Sequence, residues 1–544
     1  MKTQQNNVIE LAFISSKEYS DPFNDITVTA VITDPIGTER RVLAFWAGGS
    51  TWKVRYSSAL VGIHRYITEC SEKDNKNLNG IIGLLEIEEY KGSNPLFLHG
   101  AVTRRGDDLF LRHADGEPFF YLADTWWMGF TKRLDWPNGF KILTQDRVEK
   151  MFSVVQIVAG LYPDMLPFDD RGANESGFPW DPNFQAINPA YFDEADKKIE
   201  WLVQNGIVPC IVGCWGFFMS FAGKAAVKRH WQYLIERWAA YPVMWCLAGE
   251  ANMAFYDERV SYEEHLKNSR RDWNDIALFV HEKDAFGRLV TIHPTSNGHE
   301  QIDDETLLDL DMLQTGHSGP LSLLPTLKQV RAAIARKRLP VINSEVCYEG
   351  ICGSSYADVQ RYLFLSNIFI GACGHTYGAN GIWQVNAVDT PYGVSPHGAQ
   401  WGDTPWTQAY KLPGSTQIGM SKQFLMRFEW WRFIPNNEWV ESPCSFNGLD
   451  GNYATGIPSE VRLIFQPTFG GSFWGDILIK NIEPDVSYHA FRFNPINGDI
   501  IDLGLVIADV AGNWRLPRVN AFQDWISVLI NTDKSGDFIT DCKA

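Results

Sequence analysis

Glu250 and Glu345 each follow an apolar run and a small residue: Met244-Trp245-Cys246-Leu247 with Gly249 for the first, Pro340-Val341-Ile342 with Ser344 for the second. Cleaving a glycosidic bond requires a proton for the leaving oxygen and a carboxylate for the positive charge that develops at the anomeric carbon, which two carboxyl groups flanking one bond supply. A neutral acid and an ionised partner need different surroundings. Trp215 and Trp245 are expected to desolvate Glu250 and raise its pKa, while Tyr348 and Asn343 donate to Glu345 and keep it charged. Other residues at the ends of apolar runs have the chemistry to hold a polyol. Asp124, His293, His317 and Tyr348 offer hydrogen bonds, and Trp126, Trp127, Trp215 and Trp383 offer flat faces for sugar C–H groups. Glu349 competes with Glu345 but sits deeper in the following loop, and Asp124 could instead cap a turn.

These residues need elements that bring them together. Between about Pro95 and Asn436, short apolar strands alternate with amphipathic helices, which implies parallel strands joined by helical crossovers. Eight strand candidates are present: Phe119 to Ala123, Val154 to Val158, Val208 to Val212, Met244 to Leu247, Leu289 to Ile292, Met312 to Thr315, Pro340 to Ile342 and Gly374 to Tyr377. Eight such units predict a (β/α)8 TIM barrel, which places chemistry at the C-terminal ends of its strands and sets strands four and seven across the mouth from each other. In the clearest helix Asn188 is the expected cap, Pro189 the first residue, and Phe192, Ala195, Ile199 and Leu202 the buried stripe, with Gly206 as the stop. Before and after this region, alternating strands broken by Gly, Pro and Asn turns predict antiparallel β-sandwiches. The expected division is 1–94 N-terminal β-sandwich, 95–437 catalytic barrel and 438–544 C-terminal β-sandwich, an α/β protein with β-rich flanks.

Composition narrows the partners. Lys and Arg total 48 against 65 Asp and Glu, a net charge of -17 with no long basic run, which argues against nucleic acid and anionic membranes. The hydrophobic content of 45% is that of a globular chain, and its 21 Trp, exceeding 19 Tyr, favour a carbohydrate partner. Nine cysteines, an odd number mostly inside apolar runs, suggest reduced thiols, with Cys210, Cys214 and Cys246 lacking a closed metal-ligand set. The N-terminus, MKTQQNNVIELAF, has no apolar signal segment, so a cytoplasmic location is expected. Two-carboxylate chemistry calls for no cofactor and no metal.

Several segments together resemble the apiosidase-like glycoside hydrolases, that is, glycoside hydrolase family 140 and its relatives. They are Gly116-Glu117-Pro118-Phe119-Phe120-Tyr121-Leu122-Ala123-Asp124-Thr125-Trp126-Trp127, Trp245-Cys246-Leu247-Ala248-Gly249-Glu250, His293-Pro294, Leu313-Gln314-Thr315-Gly316-His317-Ser318, Pro340-Val341-Ile342-Asn343-Ser344-Glu345 with Tyr348-Glu349, and Gly374-His375-Thr376-Tyr377-Gly378 with Ile382-Trp383. The resemblance spans roughly Leu98 to Phe433 and implies a retaining barrel enzyme, with Glu250 as acid/base and Glu345 as nucleophile. Many relatives carry Gly-Gly-Asp where this chain has Ala248-Gly249-Glu250. The extra methylene moves the carboxyl by about 1.5 Å, which bears on the sugar accepted more than on the reaction. The flanking pieces resemble the family's accessory sandwiches. The expected activity is removal of a small terminal sugar, a furanoside in particular. Two other readings stand beside it: a carbohydrate-binding or scaffolding protein with an inactive barrel, and a metal-dependent hydrolase using His293, His317 and His375.

Overall fold

The computed structural model describes residues 1–254, 261–396, 398–441, 449, 451–469, 477–518 and 521–534. Its centre is an eight-stranded parallel sheet curled into a barrel. The strands, in chain order, are Tyr121–Thr125, Val154–Val158, Val208–Val212, Met244–Cys246, Val290–Thr291, Asp311–Gln314, Val341–Glu345 and Gly374–Tyr377, and neighbours in sequence are neighbours in the sheet. The first and eighth strands pair, with Leu122 opposite His375 and Asp124 opposite Tyr377. The seam between strands five and six is spanned differently: the Asp309 carboxylate accepts from Val290 N at 2.7 Å, Asp309 N donates back to Val290 O at 2.8 Å, and Thr291 Oγ1 donates to Leu310 O at 2.9 Å. All eight predicted strands are present. The first begins later than expected because Pro118–Phe119 pairs instead with Leu111–His113, in a small antiparallel meander completed by Val102–Thr103.

Side chains alternate along a strand, so parity decides which residues enter the barrel. On strand one Tyr121 points inward, where its hydroxyl lies 3.5 Å from Gln156 Nε2, and Gln156 donates to Thr376 Oγ1 at 2.6 Å. Leu122 and Asp124 therefore face the surrounding helices, as do His375 and Tyr377 on strand eight. The helix Pro189–Gln204 buries the predicted stripe, but Asn188 does not cap it through its side chain. Its amide donates instead to Ser176 O and Phe178 O at 2.8 and 3.0 Å, tying the preceding loop to the helix start.

The N-terminal region is a sandwich of a five-stranded and a three-stranded sheet around Leu11, Val28, Ile32, Val54 and Leu85. Its Arg55 reaches into the barrel's helical layer, pairing with Asp196 at 2.5 Å. The C-terminal region combines a five-stranded antiparallel sheet with a two-stranded one. It docks through Tyr362 against Tyr453 (hydroxyls 2.6 Å apart), Arg361 against Asp524 (2.9 Å) and the stacked rings of Phe424 and Phe493 (4.0 Å). Of the nine cysteines, Cys70, Cys210, Cys214, Cys246, Cys347 and Cys373 are buried free thiols and Cys352 is an exposed one. Cys444 and Cys542 lie outside the described residues. No described helix is long and apolar enough to cross a membrane.

Candidate active site

Glu250 and Glu345 meet at the C-terminal mouth of the barrel. Glu345 ends strand seven; strict alternation from the inward-facing Ile342 would turn it away from the axis, but a register shift against strand six, where Leu313 pairs with Asn343 and Gln314 with Glu345, brings it to the pocket, 5% exposed. Glu250 follows strand four on a segment clamped from both sides: Gly249 N donates to Cys214 O at 2.9 Å, Gly216 N to Gly249 O at 2.8 Å, and His293 N to Ala248 O at 3.0 Å. The Trp215 ring packs against Gly249 so closely that a β-carbon there would sit 2.2 Å from it, so any larger residue would displace the ring. Glu250 itself adopts φ 42°, a left-handed conformation seldom held by a residue with a side chain.

One amide joins the two carboxylates. Gln314, at the end of strand six, donates through Nε2 to Glu250 Oε1 at 3.0 Å and to Glu345 Oε1 at 3.1 Å, so those two oxygens can be no more than about 6 Å apart. Trp215 Nε1 donates to Glu250 Oε2 at 3.2 Å. Glu345 receives the basic groups: His317 Nε2 is 2.9 Å from its Oε1 and His293 Nε2 is 3.2 Å from its Oε2. The His293 approach has the distance of an ion pair but not the alignment of a hydrogen bond, and Glu345 Oε2 is left without an aligned donor. The Tyr348 hydroxyl accepts from Trp127 Nε1 at 3.1 Å, beside Glu345 in the same pocket.

This asymmetry separates the two protonation states. Burial pushes Glu250 up and the negative charge of Glu345 pushes it further. Glu345 feels burial in the same direction, but the proximity of His293 and His317 outweighs it and holds the carboxyl at about 2. Burial disfavours the charged form of His317, yet the hydrogen bond and charge of Glu345 prevail and raise its pKa. Burial and charge therefore pull the two carboxyls apart, Glu250 toward its neutral form and Glu345 toward its ionised form.

The pocket over this pair spans about 570 Å³ including its open mouth. Trp127, Trp215, Trp383, His317 and Tyr348 line it, and Tyr348 stacks between His317 (5.0 Å) and Trp383 (6.2 Å). Gly378 lies beneath the Tyr348 ring, where a β-carbon would come within 2.0 Å. His293 is fully buried and touches Glu345 rather than the cavity.

Besides that of His293, four expectations are corrected. Asp124, facing outward by strand parity and 0% exposed, forms a buried ion pair with Arg147 (2.6 Å) and cannot reach a sugar. Trp126 is also fully buried, donating to Asp124 Oδ2 at 2.7 Å and packing on Phe140. Trp245 faces the helices as well, donating to Asp284 at 2.9 Å, so it does not desolvate Glu250. Asn343 bonds Thr315 at 3.2 Å rather than Glu345. His375 packs on Phe364 in the helical layer, apart from His293 and His317, and among the described residues no three His, Cys, Asp or Glu side chains gather as a metal site. Glu349 is buried among Tyr377 and Gly414, outside the pocket.

Sequence reasoning missed Gln314, Asp164 and Trp401. Gln314 ends strand six in the position that Glu345 holds on strand seven, a signal that was available. Asp164 and Trp401 lie on loops after strands two and eight, with no periodicity to mark them.

Residues 106–432, well over half of the chain, match the family described as apiosidase-like, catalytic domain, and residues 2–71 match a domain of unknown function, DUF5060. No curated protein matches. Among solved structures, one described as a glycoside hydrolase is 19% identical with a TM-score of 0.66, covering 82% of this chain and 99% of its own. A glycoside hydrolase family 5 protein from Bacteroides vulgatus is 20% identical with a TM-score of 0.66, covering 82% and 96%. A further Bacteroides vulgatus structure spans all the regions, with 98% of this chain and 100% of its own aligned at 16% identity and a TM-score of 0.70. At these identities the structural matches establish the fold, a barrel with β-rich flanks.

Proposed function

The chain belongs to the apiosidase-like glycoside hydrolases, and from that premise we propose that it removes a small terminal sugar, a furanoside in particular, with retention of anomeric configuration. The observation that carries the mechanism is the shared Gln314 amide. Its two short bonds cap the separation of the bridged oxygens at about 6 Å, close to the 5–5.5 Å of retaining pairs and below the 6.5–9.5 Å that an inverting enzyme needs for an intervening water.

In the first step Glu345, held ionised by His293 and His317, attacks the anomeric carbon while Glu250 protonates the departing oxygen. The glycosidic C–O bond breaks as the Glu345–sugar ester forms. Glu250, now a carboxylate, then takes a proton from water, and the hydroxyl displaces Glu345 from the sugar. The stacked ring ladder of His317, Tyr348 and Trp383 offers a wall for the sugar's C–H faces.

Azide tests the division of labour. Glu250→Ala should still release an activated aryl leaving group and then stall at the glycosyl-enzyme; azide, which needs no deprotonation, should restore turnover and give a glycosyl azide of retained configuration. An inverted azide from Glu250→Ala, or wild-type activity of that variant on a natural glycoside, would reject the assignment.

A further inference from the structure

A second cleft opens where the N-terminal sandwich meets the barrel, and it spans about 630 Å³ including its open mouth. One wall belongs to the sandwich: Phe23 and Asn24 on the short helix Pro22–Asp25, and Trp46 on the strand Phe45–Trp46. The other is the barrel helix Lys224–Trp238, which follows strand three and presents Arg229, Gln232 and Glu236, spaced three and four apart and so on one face. In a (β/α)8 barrel each helix runs back from the mouth. Glu236, in the last turn before strand four, therefore lies toward the end opposite Glu250 and Glu345.

Protein contacts fix both walls. Tyr233 donates to Trp46 O at 2.8 Å and meets Phe23 edge-on at 5.8 Å, and the Arg237 guanidinium lies over the Phe45 ring at 4.6 Å. Arg229 is turned to Asn24 Oδ1 (2.9 Å) and Phe184 O (2.6 Å), which holds its charge against acceptors in the wall. The groups left to a ligand are an indole face, an amide and a carboxyl. Trp46 is part-exposed, with its ring packed on Phe23 at 6.4 Å and its N–H donating to Gly49 O at 2.9 Å. Gln232 donates to Glu236 Oε1 at 2.8 Å. Burial pushes the Glu236 carboxyl up to about 8 against the opposing bond from Gln232 and charge of Lys283, so at neutral pH it both donates and accepts. An aromatic face beside uncharged groups that donate and accept suits the C–H and O–H groups of a sugar.

Resting on the glycosidase reading above for the class of ligand, we propose that the cleft between Trp46 and the Arg229–Glu236 face is a second carbohydrate site. It holds one uncharged sugar unit of a glycan away from the catalytic mouth. Bound there, a polymer stays tethered to the enzyme, which raises the local concentration of its ends at the active site.

Two readouts test it. The first is electrophoresis through gels containing arabinan, galactan, xyloglucan or polygalacturonate, run with Glu345→Ala so that no polymer is trimmed. At least one neutral polymer should retard the protein and polygalacturonate should not. Adding Trp46→Ala or Glu236→Ala should weaken that retardation about tenfold or more, roughly the loss of one ring contact or one hydrogen bond. Should Trp46→Ala fail to fold, Glu236→Ala, a change on a part-exposed helix face, carries the test. The second readout is kcat/KM of the single variants Trp46→Ala and Glu236→Ala on 4-nitrophenyl arabinofuranoside and galactopyranoside, which should stay within about twofold of wild type because such substrates need no tether. If neither glycoside nor any polymer is cleaved but retardation depends on Trp46 and Glu236, the glycosidase reading fails and the cleft site stands. The cleft site is overturned if none of the neutral polymers retards the protein, if retardation survives both cleft variants, or if polygalacturonate is the polymer the cleft retains. A loss on the aryl glycosides that matches the loss of retardation would likewise overturn a site separate from the catalytic mouth.

Discussion

Two pairs of carboxylates lie within one barrel domain and behave oppositely. Asp124 and Glu349 lie outside the strand cylinder, among the helices, and both oxygens of each have a local donor. Asp124 takes Arg147 Nε, Trp126 Nε1 and Thr125 N, while Glu349 takes Tyr377 Oη and Gly414 N. Glu250 and Glu345 lie inside the mouth, share one amide donor, and face a cavity with Glu345 Oε2 and Gln314 Oε1 unmatched by aligned partners. The first pair is completed by the fold, as buried charges and acids must be. The second is left for a substrate to complete. Burial alone does not distinguish them; what separates them is whether the donors around each carboxylate leave anything for a ligand to do.

The largest expected effect sets the pairs apart directly. Glu345→Ala should cost about ten-thousand-fold or more in kcat on every glycoside, with little change in melting temperature, because the nucleophile is needed whatever the leaving group is. Arg147→Met should do the reverse. It strands Asp124 as an unpaired buried charge, so chemical denaturation should show a loss of about 3–5 kcal/mol, while protein that remains folded keeps its kcat. A catalytic collapse in folded Arg147→Met would mean that the two networks are coupled.

Gln314→Ala is expected to be milder, at roughly 10- to 100-fold in kcat/KM, because it removes one charge-assisted donor from each carboxylate and leaves both present. The pH profile sharpens the same contrast. Activity requires Glu345 ionised and Glu250 protonated, so kcat/KM should fall as pH rises through the elevated Glu250 value, with the opposing acid limb held near 2 by the histidines. An activated aryl substrate, needing less acid assistance, should lose much of the alkaline limb. Glu345→Gln removes the neighbouring negative charge, so the Glu250 carboxyl, followed by carbon-13 NMR, should titrate lower than in wild type. The smallest effect belongs to Glu349→Gln. The side chain nearly preserves shape and contacts, and kcat should stay within about twofold, whereas Glu345→Gln should be inactive.

The barrel was legible in the sequence because buried parallel strands are short apolar runs whose ends can be counted, and Val154–Val158, Val208–Val212 and Gly374–Tyr377 fall where they were expected. Glu250 and Glu345 followed from that count. Asp124, Trp126 and Trp245 were misplaced because a residue near a strand end was taken as facing the mouth, when period-two parity sends Asp124 and Trp245 to the helices. The register with strand eight, which pairs Asp124 with Tyr377, was hidden in a single chain. Gln314 escaped notice because an amide is not titratable, although it organises both acids. Asp164 and Trp401 were beyond sequence reading, since their meeting depends on two loops more than two hundred residues apart in the chain.

The most direct test of the two-carboxylate mechanism is proton NMR of the sugar as it is first released, recorded before mutarotation. Retention is expected, with the product appearing initially as the same anomer as the substrate. An initial product of the opposite anomer would require a water between Glu250 and Glu345, and would contradict the close, amide-bridged pair on which the mechanism rests.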